Sequence, residues 1–201
     1  MEKLSKMNNI KLLIIFCGLC LASCSGKVVT TTELLAEYDA RTDAYQRSET
    51  RDGFVVQVKF VPSNVLYAKA VDANLPEIEK SAYDNFSQFV MRLSLTEQCQ
   101  DFIKCLSSNN DDYASIHKHL SFDLSESLSI VDSNGRRIPC SGIHFDRTYN
   151  VTPFVEVTST FEGVEQLSYP ITFELDDEFF GIGQINFTFQ DNYELPELIE
   201  S

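Results

Sequence analysis

The chain has 201 residues, of which 43% are hydrophobic and 11% aromatic, a composition typical of a folded globular protein and not of a disordered one. Its 30 acidic residues outnumber its 16 basic ones and give a formal net charge of −14 at pH 7. Clusters of lysine and arginine provide most of the affinity of proteins for nucleic acids and for anionic lipid headgroups. The charge therefore argues against nucleic acid as a partner, and membrane attachment must come from another feature.

The amino-terminal segment has the order of charge and hydrophobicity that is typical of a secretory signal peptide. Lys3, Lys6 and Lys11 precede an apolar run over residues 12–22. As a helix this run would extend only ~16 Å, about half of the ~30 Å hydrocarbon core of a bilayer. We therefore predict a cleaved signal over residues 1–23 and not a transmembrane helix.

The signal ends with the residues Leu21, Ala22, Ser23 and Cys24. This segment resembles the lipobox of bacterial lipoproteins, in which small residues precede a cysteine that receives the lipid. The resemblance implies cleavage between Ser23 and Cys24, attachment of diacylglycerol to the Cys24 sulfur, and acylation of the new amino terminus. Two or three acyl chains would anchor the protein stably, because each buried methylene contributes ~0.8 kcal/mol. A secretory signal that ends by chance at a cysteine is the alternative.

The residue after the lipidated cysteine sorts such lipoproteins between membranes, and by the family's rule Ser25 favours the outer membrane. We expect residues 24–30 to form a short tether and residues 31–201 to form a single globular domain. The resemblance thus implies a protein of the cell envelope that is attached to the membrane through its N-terminal lipid.

Three of the six cysteines lie outside the signal and the lipobox: Cys99, Cys105 and Cys140. An odd number allows one intramolecular disulfide at most in the oxidising compartment that a signal peptide implies. The sequence does not decide which pair would form it, and three buried thiols are the alternative. A catalytic cysteine is disfavoured, because no accompanying pattern of histidine and asparagine is present.

The first predicted element is an amphipathic helix. Thr30 and Glu33 have the spacing of a capping box, and apolar residues then follow one helical stripe through about residue 48. From residue 54 the period changes to two, which predicts a strand that Pro62 ends. The patterns further predict a short helix over residues 76–86, a strand over 89–95, and short helices near 99–107 and 111–120.

The second half of the chain is richer in strands. Residues 128–130 and 137–138 flank Asn134 and Gly135, the dipeptide that favours a type I′ hairpin turn. Three more segments of period two predict strands over residues 154–161, 169–175 and 185–189. We therefore predict an α+β fold with an N-terminal helix and a mainly antiparallel β-sheet or β-sandwich in the C-terminal half.

Several segments of this body have a wider resemblance. Residues 144–151, HFDRTYNV, together with FVVQVKFVPSNVL and FFGIGQINFTF, are similar to parts of uncharacterised, β-rich envelope lipoproteins. The resemblance covers most of the mature chain. It supports the anchor and the compartment, and it implies no catalytic or binding residue.

Motifs for common enzyme chemistry are missing from the sequence, among them a nucleophile elbow, a phosphate-binding loop and a zinc-protease helix. His117 and His119 lie two residues apart in a predicted helix and would point in different directions, so a zinc site with His144 is disfavoured. The acidic runs at residues 109–112 and 176–178 lack the spacing of a calcium-binding loop and suit turns or helix caps. We expect no cofactor, no metal site and no catalytic residues.

Three functions remain open at this level. The first is a non-enzymatic envelope lipoprotein that binds or assembles with an envelope protein or a glycan. The second is a hydrolase or metal-dependent enzyme that uses His144 and distant carboxylates. The third is an inhibitor or immunity lipoprotein that neutralises a basic protein, which follows from the acidity alone.

Overall fold

A computed structural model describes residues 28–75, 79–146, 152–164, 167–190 and 197–198. The predicted signal peptide and lipobox, with Ser23 and Cys24, lie outside these residues. Within the described ranges no helix is both long enough and apolar enough to cross a membrane.

The described helices are short and the strands are numerous. The α-helices are α1 (Thr31–Ala40), α2 (Thr42–Tyr45), α3 (Ser63–Asp72), α4 (Ser81–Asp84), α5 (Phe102–Leu106) and α6 (Asn110–Ser121), and a 3₁₀ turn follows at Asp123–Ser127. The strands are β1 (Val28–Val29), β2 (Gln46–Arg51), β3 (Phe54–Val61), β4 (Phe86–Leu95), β5 (Leu128–Val131), β6 (Arg137–Pro139), β7 (Gly142–Asp146), β8 (Phe154–Glu162), β9 (Ile171–Asp177), β10 (Gly183–Phe189) and β11 (Glu197–Leu198).

Two antiparallel sheets form the body of the protein. One has five strands in the order β2-β3-β4-β8-β7, and the other has four in the order β10-β9-β5-β6. The short strands β1 and β11 pair in parallel apart from both sheets. The predicted α+β fold with a mainly antiparallel sandwich is confirmed, and its larger sheet takes β2, β3 and β4 from the first half of the chain.

Phenylalanine rings fill the space between the two sheets. Phe89 on β4 is fully buried, and its ring centroid lies 4.8 Å from that of Phe60 and 4.9 Å from that of Phe173. The rings of Phe161 and Phe189 lie 5.6 Å and 5.5 Å from it. Side chains alternate between the faces of a strand, so every second residue of these strands enters the core. This alternation leaves the opposite face of the five-stranded sheet, called here the outer face, to be covered or left open.

Helices cover one end of the outer face. The capping box of Thr30 and Glu33 begins α1, and Tyr38 on this helix donates a hydrogen bond of 2.6 Å from its hydroxyl to the Phe60 carbonyl. The α1 helix packs on α3, where Leu34 and Ala68 are both fully buried. Two helices thus close the end of the sheet at which β3 finishes.

The N-terminal helix is shorter than the sequence predicts, because its proposed last turn is a strand. The chain leaves the helical conformation after α2, and β2 pairs with β3 through a two-residue turn at Asp52 and Gly53. Both turn residues have positive φ, 48° and 85°, as a type I′ hairpin requires. The prediction of a helix through residue 48 is wrong, because pairing with β3 outweighs the helical pattern.

The hairpin predicted around Asn134 and Gly135 exists as β5 and β6, but its turn differs from the predicted type. Val131 pairs with Arg137, so the loop has five residues, and of the two predicted turn residues only Gly135 has a positive φ. The Asp132 carboxylate accepts the N–H groups of Asn134 and Arg136 at 2.9 Å and 2.8 Å. Burial raises the pKa of Asp132, but these backbone donors outweigh it and hold the pKa below its usual range.

The remaining sequence predictions are mostly confirmed, and a few elements were not predicted. The strands near 54–61, 89–95, 154–161, 169–175 and 185–189 and the helices near 99–107 and 111–120 are present within a few residues. The helix predicted over 76–86 is reduced to α4, and residues 76–78 lie outside the described chain. The elements without a sequence prediction are α3, which directly follows Pro62, the edge strand β7, and the short paired strands β1 and β11.

Candidate functional site

The open end of the outer face contains a polar cleft of about 750 Å³. It lies at the end of the sheet where β3 begins and β4 finishes, and the helices cover the other end. The strands β3, β4 and β8 form its floor, and the loop after β4 forms a wall. Its lining residues are Val55, Gln57, Arg92, Ser94, Leu95, Thr96, Glu97, Gln98, Cys99, Gln100, Pro153 and Phe154.

Strand alternation explains why the floor of the cleft is polar. Val56 and Leu93 point into the core, so their neighbours Gln57, Arg92 and Ser94 point outward. In the sheet register Gln57 pairs with Arg92, and Arg92 pairs with Glu156 on β8. Three adjacent strands therefore present one polar row across the cleft floor.

Arg92 is fixed at the centre of this row. Its Nε and Nη2 atoms donate hydrogen bonds of 2.9 Å and 2.7 Å to one carboxylate oxygen of Glu156. Its guanidinium carbon lies 4.1 Å from the centroid of the Phe154 ring, within the range of a cation–π contact. The ion pair neutralises the charge of Arg92, and the contact with Phe154 holds the planar group in place.

The wall of the cleft is tied at both ends. Thr96 donates a hydrogen bond of 2.9 Å from its N–H to the Gly53 carbonyl of the β2–β3 turn. At the other end a disulfide joins Cys99 to Cys105, with 6.4 Å between their Cα atoms. Inside this small ring Asp101 caps α5 by accepting the Ile103 N–H at 3.1 Å. The loop over residues 96–100 is thus attached to both the sheet and α5.

Several polar side chains in the cleft have unused hydrogen-bonding capacity. Within the described part of the chain, no internal hydrogen bond engages the side chains of Gln57, Ser94, Gln98 or Gln100. Gln98 and Gln100 are exposed on the wall, and Gln57 and Ser94 are half-buried on the floor. A carboxamide both donates and accepts hydrogen bonds, so these groups are available to a ligand that does the same.

The third cysteine of the described chain is separate from the cleft. Cys140 is a half-buried thiol between β6 and β7, and its Sγ lies 3.2 Å from the Gly142 carbonyl oxygen and 3.6 Å from that of Thr160. Burial raises the pKa of this thiol, so it stays protonated at neutral pH.

The structure places the three histidines in different surroundings. His119 on α6 is buried, with Nε2 3.2 Å from an Asp177 carboxylate oxygen and its ring stacked on that of Phe179 at 4.2 Å. His144 is exposed on β7, with Nε2 3.0 Å from a carboxylate oxygen of Asp146. The ring of His117 lies against that of Tyr113. Among the residues described, no three histidine, cysteine or carboxylate side chains form a group that could hold a metal ion.

The acidic runs weighed as calcium ligands have structural roles. Asn109 caps α6 by accepting the N–H groups of Asp111 and Asp112 at 2.8 Å and 2.9 Å. In the second run the Asp177 carboxylate faces His119 and also accepts the Phe180 N–H at 2.9 Å. Both runs therefore satisfy backbone or side-chain donors of the protein itself.

Two further clefts are lined by described residues. An apolar groove of about 520 Å³ lies between α3, α4 and β4, next to Leu66, Tyr83 and Phe86. A cleft of about 360 Å³ lies beside α6 and is bordered by Phe179 and Phe180. Neither brings together a comparable set of uncommitted polar groups.

Sequence reasoning missed the residues of the polar cleft. Period-two patterns show that Gln57, Arg92 and Glu156 face away from the core, but they do not show whether that face is covered, solvated or concave. The loop sequence Thr-Glu-Gln-Cys-Gln holds two glutamines and a cysteine in close succession, the one local signal that could have pointed to this wall.

Comparison with known proteins gives no functional relative. No family model matches the chain, and no curated protein matches its sequence. Among solved structures, a DUF4426 family protein from Pseudomonas aeruginosa is similar at 10% identity and a TM-score of 0.36, over 73% of this chain and 97% of that chain. A protein of unknown function from Burkholderia pseudomallei is similar at 10% identity and a TM-score of 0.34, over 80% of this chain and 90% of that chain. At this level neither similarity carries an argument about function.

Proposed function

We propose that this protein is a lipid-anchored lipoprotein of the cell envelope, in the outer membrane, and that it binds a ligand in the polar cleft without catalysis. The lipobox-like sequence that ends at Cys24 carries the proposal of the anchor. The uncommitted polar groups around Arg92 carry the proposal of binding.

The position of the N-terminus supports this arrangement. Val29 packs against Leu34 and Ala68 in the helical layer, at the end of the sheet away from the cleft. Cys24 precedes Val28 by four residues, which span at most about 14 Å when extended. On β3 the cleft is lined by Gln57 and Val55, four and six residues before Val61 at the helical end, so at about 3.3 Å per residue it lies about 13–20 Å from that end. A lipid at Cys24 would leave the cleft open to the surrounding compartment.

The chemistry of the cleft supports binding over catalysis. Histidine is missing from its described lining residues, and its one cysteine is in a disulfide. Arg92 and Glu156 are held in an ion pair with each other. His144 has one close carboxylate partner on an exposed strand, which does not make the enclosed His–carboxylate site that hydrolysis would need.

The anchor is tested by the intact mass of the protein purified from membranes. The expected mass corresponds to a chain that begins at Cys24 and carries two or three acyl chains. Replacing Cys24→Ala should release the protein from membranes without detergent, because the lipid lies outside the folded core.

Cys20→Ala is the matched control, because it also removes a cysteine near the N-terminus but lies in the segment that is expected to be cleaved. This variant should stay in the membrane. A mass that retains residues 1–23, or an unmodified Cys24, would overturn the proposed anchor.

A further inference from the structure

The charge of the polar cleft restricts the class of ligand that it can take. Arg92 and Glu97 are the charged side chains among its described lining residues, and Arg92 is already paired with Glu156. An anionic ligand would find no uncompensated cation there and would also meet the net negative charge of the protein. A cationic ligand would find one exposed carboxylate at the rim. The cleft is therefore suited to a neutral ligand.

The hydrogen-bonding groups of the cleft restrict the ligand further. Gln57, Gln98 and Gln100 each present one acceptor and one donor group, and Ser94 adds a hydroxyl. A sugar ring offers hydroxyls around its rim that donate and accept in the same way. An apolar ligand would bury these groups without partners, at a cost of about 1–3 kcal/mol for each unsatisfied group.

A flat surface lies among these polar groups. The Arg92 guanidinium stacks near the Phe154 ring, and Val55 and Leu95 border the same cleft. The faces of a pyranose ring carry C–H groups, which pack well on such planar or apolar surfaces. The polar groups of the floor and wall match the hydroxyls at the rim of a sugar ring. The flat patch matches the face of the ring.

The location of the cleft disfavours an extended peptide. Peptides commonly add to an exposed sheet edge and pair with its backbone. The floor of this cleft is the face of β3, β4 and β8, and the two neighbours of β4 already take up its backbone groups. A ligand on this floor is therefore recognised by side chains and not by pairing with a strand backbone.

We infer that the polar cleft binds a neutral oligosaccharide, held by the carboxamides of Gln57, Gln98 and Gln100 and packed against the Arg92–Phe154 pair. The inference rests on the proposed function, because it names the ligand class of the same cleft. The opening of the cleft to solvent along the sheet face would let a longer glycan continue beyond it.

Calorimetric titration of the full lipidated protein, in a zwitterionic detergent that contains no sugar, tests the inference. The probes are maltohexaose, cellohexaose, chitohexaose and mannohexaose, and a neutral hexapeptide of alanine and glutamine is titrated in parallel. We expect saturable binding of at least one hexasaccharide with a Kd of about 1 mM or tighter. Gln98→Ala and Gln100→Ala should each weaken that binding about 2- to 10-fold, the loss expected for one neutral hydrogen bond.

Gln184→Ala is the matched control, because Gln184 lies on the four-stranded sheet outside the cleft. It should leave the Kd unchanged. The inference is overturned if none of the four sugars binds up to about 10 mM, if the peptide binds more tightly than every sugar, or if Gln98→Ala and Gln100→Ala behave like Gln184→Ala. The intact mass of the same preparation separates this result from the anchor: a lipidated protein that binds no sugar overturns only the ligand class.

Discussion

The two ends of the outer face belong to the same three strands and differ in what lies on them. At the end where β3 finishes, Val61 is 2% exposed, and Tyr38 of α1 bonds to the carbonyl of its neighbour Phe60. At the end where β3 begins, Val55 is half-buried and borders the polar cleft. The side chains of these strands alternate between the core and the outer face at both ends. The difference comes from the helices, which seal one end and leave the side chains of the other available.

The polar groups of the two ends follow this difference. At the covered end the Tyr38 hydroxyl bonds to the Phe60 carbonyl, and Lys59 lies 4.5 Å above the Tyr38 ring and 3.2 Å from Asp39. At the open end the side chains of Gln57 and Ser94 have no hydrogen-bond partner among the described residues. Polar side chains that form no hydrogen bond within the protein are available to form one with a ligand.

The largest expected loss of stability comes from disrupting the helix packing at the covered end. Leu34→Ala removes a fully buried side chain that joins α1 to Val29 and Ala68. The lost burial and the cavity should lower the free energy of unfolding by about 2–5 kcal/mol. Urea denaturation measures the change. Leu75→Ala is the control, because Leu75 is 54% exposed and its loss should cost less than about 0.5 kcal/mol. Equal losses in the two variants would contradict the packing role of the helical layer.

The open end is expected to depend on its disulfide. The loop closed by Cys99 and Cys105 has a sequence separation of 6, for which loop entropy predicts about 2 kcal/mol of stabilisation. Replacing both by serine should lower the free energy of unfolding, measured by urea denaturation, by that amount, and a reductant should do the same to the wild type. Cys140→Ser is the control that keeps the bridge. A wild-type midpoint that does not respond to reductant would show that the bridge does not stabilise the wall of the cleft.

The smallest effect is expected at the hydrogen bond between α1 and β3. Tyr38→Phe removes the donor to the Phe60 carbonyl and should cost about 1 kcal/mol, whereas Tyr67→Phe, which removes a hydroxyl with no described partner, should cost less. Burial, with Asp39 and Tyr45 adding to it, raises the pKa of Tyr38 above its ordinary value of about 10.

The folded protein therefore keeps the Tyr38 proton at pH values where the unfolded chain loses it. This contribution to stability is complete below about pH 10 and is lost as the pH rises toward the folded pKa. Denaturation at several alkaline pH values should show a steeper loss for the wild type than for Tyr38→Phe. Parallel curves would contradict the buried, protonated state of this hydroxyl.

Much of the fold could be predicted from local patterns. The strands with alternating hydrophobic residues were correctly predicted, because alternation reports directly on a sheet with one buried face. Asp52 and Gly53 form a dipeptide that suits the positive φ angles of a hairpin turn. The apolar stripe before them nevertheless favoured the prediction of a longer helix. The helix α3 was not predicted because Pro62 was interpreted as the end of the preceding strand, whereas it also begins the helix.

The cleft could not be predicted in the same way, because its residues are distant in sequence. Gln57, Arg92 and Glu156 meet only through the pairing of β3, β4 and β8. An outward polar residue in a strand has the same pattern whether it faces solvent, a helix or a concave surface. Recognition of the cleft therefore required the sheet order and the position of the loop after β4.

The sequence by itself determined the features that depend on neighbouring residues: the signal-like N-terminus and the lipobox resemblance at Cys24, the capping box of α1, and the period of the strands. Tertiary structure decided which of the three cysteines pair, which end of the outer face the helices cover, and where uncommitted polar groups converge. The first set follows from local hydrophobicity and backbone preference, which act over a few residues. The second set depends on strand register and helix placement, which are fixed only when distant segments bury their apolar faces against one another.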